Sequence, residues 1–413
     1  MNEFIKHLRP LLVDEELVEA LTVLPEVKKD FKNKAERLSS VLDIYKIYIP
    51  NEDTINIYHR LYLSVLNSLE KKSTIEEVIK LNENYKVIKK IKRYGVIGGL
   101  DSFKVTGNAG VGKTSAIQRC IEIITNNKII KVKNPYREII PILEIETVSD
   151  CSIKNLLFSI LMRVDEQLGT NFYQYNSSPN ITTDVLLAAV ANVLTNHVAL
   201  LCIDEIERVV ENKRGSTLIN YLTQLINQSN VAICFVGTDA SNNFFEMEEY
   251  LARRTIGISF KKMIYDEHFY SFCKALFRYQ YTEYLVELNS ELAHWLYNHS
   301  NGLPSMVVSL FVEAQRNAII SGKEKIDIDL LEKTFKENYF TMSAYIENKA
   351  IYHKSSKMDS ANISIKSSCC ANIFKTACQV AYKNADRAID FLKDHIVIEY
   401  LWLRKCLEYT QMK

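Results

Sequence analysis

The sequence predicts an α/β fold, a mostly parallel sheet with helices on both faces, from three observations. Between Gly98 and Ser259, short strand-like apolar runs alternate with longer helical ones, the order that a parallel sheet with helical crossovers requires. A glycine-rich turn joins the first such run to the first helix, and a later apolar run ends in two carboxylates. The elements read in order as strand 102–106, helix 113–124, strand 142–147, helices 153–168 and 183–194, strand 198–203, helix 217–228 and strand 231–236. Another strand-like segment closes the series.

The division expected along the chain is an N-terminal helical extension (1–95), an α/β core (96–259), a helical segment (260–345) and a C-terminal tail (346–413). In the extension, Ile55, Tyr58, Leu61, Tyr62 and Val65 recur at helical spacing. The basic run Lys86–Arg93 fits a solvated helix face, with contact to DNA or a partner as the alternative. The tail begins with a polar linker, and its later part, 374–409, has a helical, partly apolar pattern suited to partner binding.

Composition narrows the function classes. A 47% hydrophobic, 24% charged chain is globular, which excludes a mainly disordered protein. Its net charge of +1 gives no global attraction to nucleic acid, so any DNA contact must be local. Nine cysteines without a C-x-x-C pair indicate a reducing cytoplasm and no zinc site. The first ten residues carry Glu3, Lys6 and Arg9, unlike a secretory signal. The apolar stretch 185–203 is broken by Asn192, Thr195, Asn196 and His197, so it reads as a helix and a strand rather than a membrane span. A soluble cytoplasmic protein is expected. Neither a zinc-protease H-E-x-x-H nor a G-x-S-x-G elbow occurs.

Gly107-Asn108-Ala109-Gly110-Val111-Gly112-Lys113-Thr114 fits G-x-x-x-x-G-K-[ST] in full. Glycines let such a turn present backbone N–H groups to phosphates, Lys113 supplies a positive charge, and Thr114 a hydroxyl for Mg²⁺ at a helix start. A nucleoside triphosphate and Mg²⁺ are therefore expected, and the resemblance given below makes the cofactors ATP and Mg²⁺. Asp204 and Glu205 end the apolar run 200–203 at the strand edge where α/β sheets bind ligands. Asp204 is expected to serve the metal and Glu205 to orient and polarise the attacking water. After the next strand, Thr238 is the first choice for a polar contact to that water or the γ-phosphate, with Asp239 the runner-up. Arg253 and Arg254 fit either a finger reaching a neighbouring subunit's γ-phosphate or two surface arginines in weak ion pairs.

These elements, in this order, resemble AAA+ P-loop NTPases. Ile47-Tyr-Ile-Pro50, Leu201-Cys-Ile-Asp-Glu-Ile206, Val236-Gly-Thr-Asp239, Leu251-Ala-Arg-Arg254, Phe277-Arg-Tyr-Gln280 and Gly302-Leu-Pro304 with Leu310–Ile319 look like the TnsC/TniB group of transposition regulators. The likeness covers residues 45–345. It implies an ATP-dependent DNA-binding ATPase that oligomerises as a ring or filament on duplex DNA. It would couple a target-selection protein to transposase subunits, with no membrane contact. By position it also implies Arg253 as the trans finger, Thr238 as the first sensor, and Lys154 and Thr170 as contacts to the DNA backbone. Ser305 stands where many AAA+ lids place an arginine. The alternative reading is an AAA+ signalling or defence ATPase, a nucleotide-controlled switch with no transposase partner.

Overall fold

The computed structural model describes residues 3–72, 102–133, 136–147, 152–210, 215–229, 231–242, 245 and 256–339. The basic run Lys86–Arg93, both candidate finger arginines Arg253 and Arg254, and the tail 346–413 lie outside the described residues.

Six strands form one sheet: β1 (Phe103–Thr106), β2 (Ile130–Lys133), β3 (Tyr136–Glu146), β4 (Val198–Asp204), β5 (Ala232–Gly237) and β6 (Ile256–Ser259), in the order β2-β3-β4-β5-β1-β6. All neighbours are parallel except β2, which pairs antiparallel with β3. Every residue of β4 is buried, as expected of a central strand covered on both faces. Leu201 and Ile203 enter one core with the helices α5 (Ile153–Leu168), α6 (Thr183–His197) and α7 (Gly215–Ser229). Leu200 and Cys202 enter the other. Cys202 and Cys234 are register partners on β4 and β5, and both thiols are free and buried, as are Cys120 and Cys273.

The N-terminal helices build the second layer. Asn51 accepts the Thr54 N–H (2.9 Å) and so caps α3 (Glu52–Lys72). The Ile57, Leu61, Val65 and Leu69 stripe of α3 shares one core with α4 (Lys113–Thr125), with Leu17 and Leu21 of α1 (Asp14–Leu21), and with β1. This extension is thus a structural face of the sheet. Burying these four aliphatic side chains contributes on the order of 1.5–3 kcal/mol each.

The lid holds α8 (Glu267–Leu276), α9 (Ser290–Ser300), α10 (Pro304–Ser321) and α11 (Ile328–Asn338). Asp266 and Asn289 cap the first two, and Pro304 sits where a helix has no N–H to lose. Between α1 and α3 the chain forms a strap. It includes α2 (Lys34–Ser40) and the 3-10 turn Val41–Lys46, both packed on α10. Arg37 grips Glu324 with two hydrogen bonds of 3.0 and 2.9 Å, and the Tyr279 hydroxyl donates to the Pro25 carbonyl at 2.8 Å. No helix among the described residues is long and apolar enough to cross a membrane.

Candidate active site

The phosphate loop runs from the end of β1 into α4. Gly110 (φ 81°) and Gly112 (φ 101°) hold left-handed conformations that a side chain would strain, and this is what bends residues 107–112 into a cradle. The Lys113 amine donates to the carbonyls of Gly107 (2.8 Å) and Asn108 (3.0 Å). Its burial lowers its pKa, opposed by the carboxylates of Glu207, Asp204, Asp239 and Glu205.

Asp204 ends β4 with its side chain at the mouth of this loop. One oxygen accepts the Thr114 hydroxyl at 2.8 Å, and the other accepts the Glu205 N–H at 2.7 Å. Two hard oxygen groups from different elements are thereby held side by side, the donor type Mg²⁺ prefers. Glu205 sits at φ 57°, and its carboxylate is ion-paired with Arg208. Arg208 also donates to the Thr147 carbonyl (3.0 Å) and contacts Glu146 (3.4 Å). Burial raises the Glu205 pKa, the Arg208 charge pulls it back, and Glu146 and Asp204 push it further up. Such a poise suits a carboxylate that exchanges a proton with water.

These groups line a cavity of about 490 Å³, within the range of small-ligand sites. Its lining combines the polar groups of residues 109–115, Asp204, Glu205, Glu207 and Thr238 with the apolar side chains of Tyr45, Ile47, Phe260, Met263, Phe272 and Pro304. A triphosphate suits the polar groups and a base the apolar ones, so the residues present fit a nucleoside triphosphate with a divalent cation. The structure brings together Gly110, Val111, Gly112, Lys113, Thr114, Asp204, Glu205 and Thr238 from the sequence expectation. Asp239 instead opens the 3-10 turn Asp239–Ser241. Ser305 approaches the loop, its N–H 3.4 Å from the Gly110 carbonyl.

Two groups escaped the sequence reading. Glu207 accepts the Thr238 N–H at 3.2 Å, and Arg208 restrains Glu205; because Glu205 (φ 57°) precedes the short helix Glu207–Val210, no helix-face spacing announced the latter. The two residues matched to DNA contacts lie elsewhere and are internally engaged. The Lys154 amine donates to the Ile181 carbonyl at 3.0 Å, and the Thr170 hydroxyl to Asp165 at 2.6 Å.

Residues 86–263 match the family model described as Bacterial TniB protein. No curated protein matches the chain. Among solved structures, the Aeropyrum pernix Orc1 protein in complex with DNA is 13% identical with TM-score 0.41, covering 63% of this chain and 64% of that one. Drosophila ORC bound to DNA is 12% identical with TM-score 0.47, covering 76% and 70%. Cdc6p from Pyrobaculum aerophilum is 13% identical with TM-score 0.39, covering 79% and 71%. The chain thus spans less than two thirds of the Orc1 chain. The fold is the AAA+ P-loop one, a mostly parallel sheet flanked by helices with a helical lid, and over 86–263 the chain resembles the TnsC/TniB-type, transposition-associated AAA+ ATPases.

Proposed function

We propose that the chain is an ATP-dependent, DNA-binding ATPase that assembles with copies of itself on duplex DNA and links a target-selection protein to transposase subunits in the cytoplasm. The observation that carries this reading is the Thr114–Asp204–Glu205 constellation facing the Lys113 loop, within a segment matching the TniB family. Thr114 and Asp204 would hold Mg²⁺, which neutralises charge on the phosphates. Lys113 would exchange its two carbonyl partners for phosphate oxygens. Glu205, once released by Arg208, would accept a proton from the attacking water, with Thr238 orienting that water.

Arg253 is proposed as the finger acting on a neighbouring subunit's nucleotide, with Arg254 beside it. Lys154 and Thr170 are proposed to hold the DNA backbone, each giving up its internal acceptor to do so. Such contacts position a duplex without reading its sequence. The chain's division into extension, core, lid and tail belongs to the same proposal. The test is electron microscopy of the protein with duplex DNA, with and without a non-hydrolysable ATP analogue. Rings or filaments that need the analogue support the reading; a protein that stays solitary on DNA in both conditions refutes it.

A further inference from the structure

A second concavity of about 730 Å³ lies between the strap and the lid, and it shares no lining residue with the nucleotide cavity. Its wall carries Lys29, Lys32 and Arg278, all exposed. Among the described residues no carboxylate forms an ion pair with the side chains of the three, although Glu36 accepts the Lys32 backbone N–H at 2.8 Å, whereas Arg37, in the same wall, is committed to Glu324. The single acidic residue lining the groove is Glu283, itself 3.7 Å from Arg37. The cationic rim is therefore a standing charge excess in a chain whose net charge is only +1.

The groove is not purely electrostatic. Leu285 lines it with 73% of its surface exposed, and Phe31 and Tyr281 meet edge to face across it, ring centroids 5.6 Å apart. Tyr281 is buried, yet its hydroxyl has no hydrogen-bond partner among the described residues. Cations around a concave wall with one exposed leucine match an extended segment that alternates carboxylates with apolar side chains. A duplex backbone would answer the cations but leave the exposed leucine without an apolar counterpart.

We infer that this groove is a docking site for an acidic, leucine-bearing peptide segment of a partner protein, held by Lys29, Lys32 and Arg278 with Leu285 as its apolar contact. The inference goes beyond the nucleotide reading and does not depend on it.

The probe is a short fluorescein-labelled peptide alternating glutamate with leucine, titrated into the full chain and followed by anisotropy. Reversing the three charges (Lys29→Glu, Lys32→Glu, Arg278→Glu) is expected to weaken binding about tenfold or more, summing three modest exposed pairs. Leu285→Asp is expected to weaken it separately, and Lys113→Ala to leave it unchanged. Thermal melting checks that each variant folds, and Arg278→Gln alone, the mildest change, should give a partial loss. Absence of peptide binding, equal binding of a glutamine-for-glutamate peptide, or equal binding by the charge-reversed protein would overturn the inference. So would labelled duplex DNA that shows this variant dependence in place of the peptide.

Discussion

Cutting the strap from the lid tests the architecture most directly. Arg37 and Glu324 make a two-bond ion pair, with 14% and 10% of their side chains exposed. Exposed pairs contribute well under 1 kcal/mol, whereas removing one member of a fully buried pair costs 3–5 kcal/mol. This pair lies between, nearer the buried limit. After Arg37→Ala, Glu324 retains only a long contact from the Glu283 N–H at 3.4 Å. We expect Arg37→Ala to destabilise the chain by about 2–3 kcal/mol, with a coupling of about 2 kcal/mol to Glu324→Ala in a double-mutant cycle. Glu283, 59% exposed and 3.7 Å from Arg37, supplies the control: Glu283→Ala should cost no more than about 0.5 kcal/mol. The assay is urea denaturation of the single, double and parental proteins, followed by circular dichroism. The strap also carries Tyr45 and Ile47 into the nucleotide cavity, so Arg37→Ala should weaken binding of a fluorescent ATP analogue. A coupling below about 0.5 kcal/mol would mean the two charges act independently, and the strap would not be pinned as described.

Lys113→Ala should abolish nucleotide binding, while Glu205→Gln should retain it and lose about 10²-fold or more in phosphate release, the usual contribution of a positioned base; parental turnover would remove Glu205 from that role. Thr114→Val should lower Mg-dependent ATP-analogue affinity about tenfold or more, given the 1.5–3 kcal/mol of a hydrogen bond to a charged group, and Thr114→Ser should restore it; equal losses in EDTA would contradict a metal role for the hydroxyl. His197 has its pKa lowered, first by burial, with its hydrogen bond to the Glu138 carbonyl opposing. A depressed folded pKa makes the unfolded chain bind the extra proton, so this contribution is present above about pH 6.5 and fades as the pH falls below it. His197→Gln should flatten the pH dependence of the urea midpoint in that window, and an unchanged slope would refute the assignment.

Much of this fold was legible because each signal is local. The helix 153–168 was read to its final residue, since Ser152 caps it and Gly169 (φ 69°) ends it. Lys113, Thr114, Asp204 and Glu205 were read as one site from their motif and order, and the structure brings all four to one cavity. The hairpin of β2 with the start of β3 was missed for an equally physical reason. β2 alternates lysine with apolar residues, the start of β3 sets Arg137 beside Glu138, and Pro141 interrupts the apolar residues that follow, so no continuous apolar run announced it. Ile130 and Val132 buried against exposed Lys131 and Lys133 is the two-residue period that would have done so. The strap was invisible because Arg37 and Glu324 are 287 residues apart, and no periodicity reports a contact at that range. Arg208's hold on Glu205 likewise depends on where β3 ends.

The sealed thiols have a practical consequence. Cys120, Cys202 and Cys234 lie under the sheet and its first helix layer, while Cys273 lies in the lid. An alkylating reagent can reach the first group only when the central layers part, but it can reach Cys273 whenever the lid helices separate. With the other cysteines replaced, the labelling rate at each position becomes a clock for a different opening. Comparing those clocks with and without nucleotide would report whether ligand tightens the lid alone or the molecule throughout.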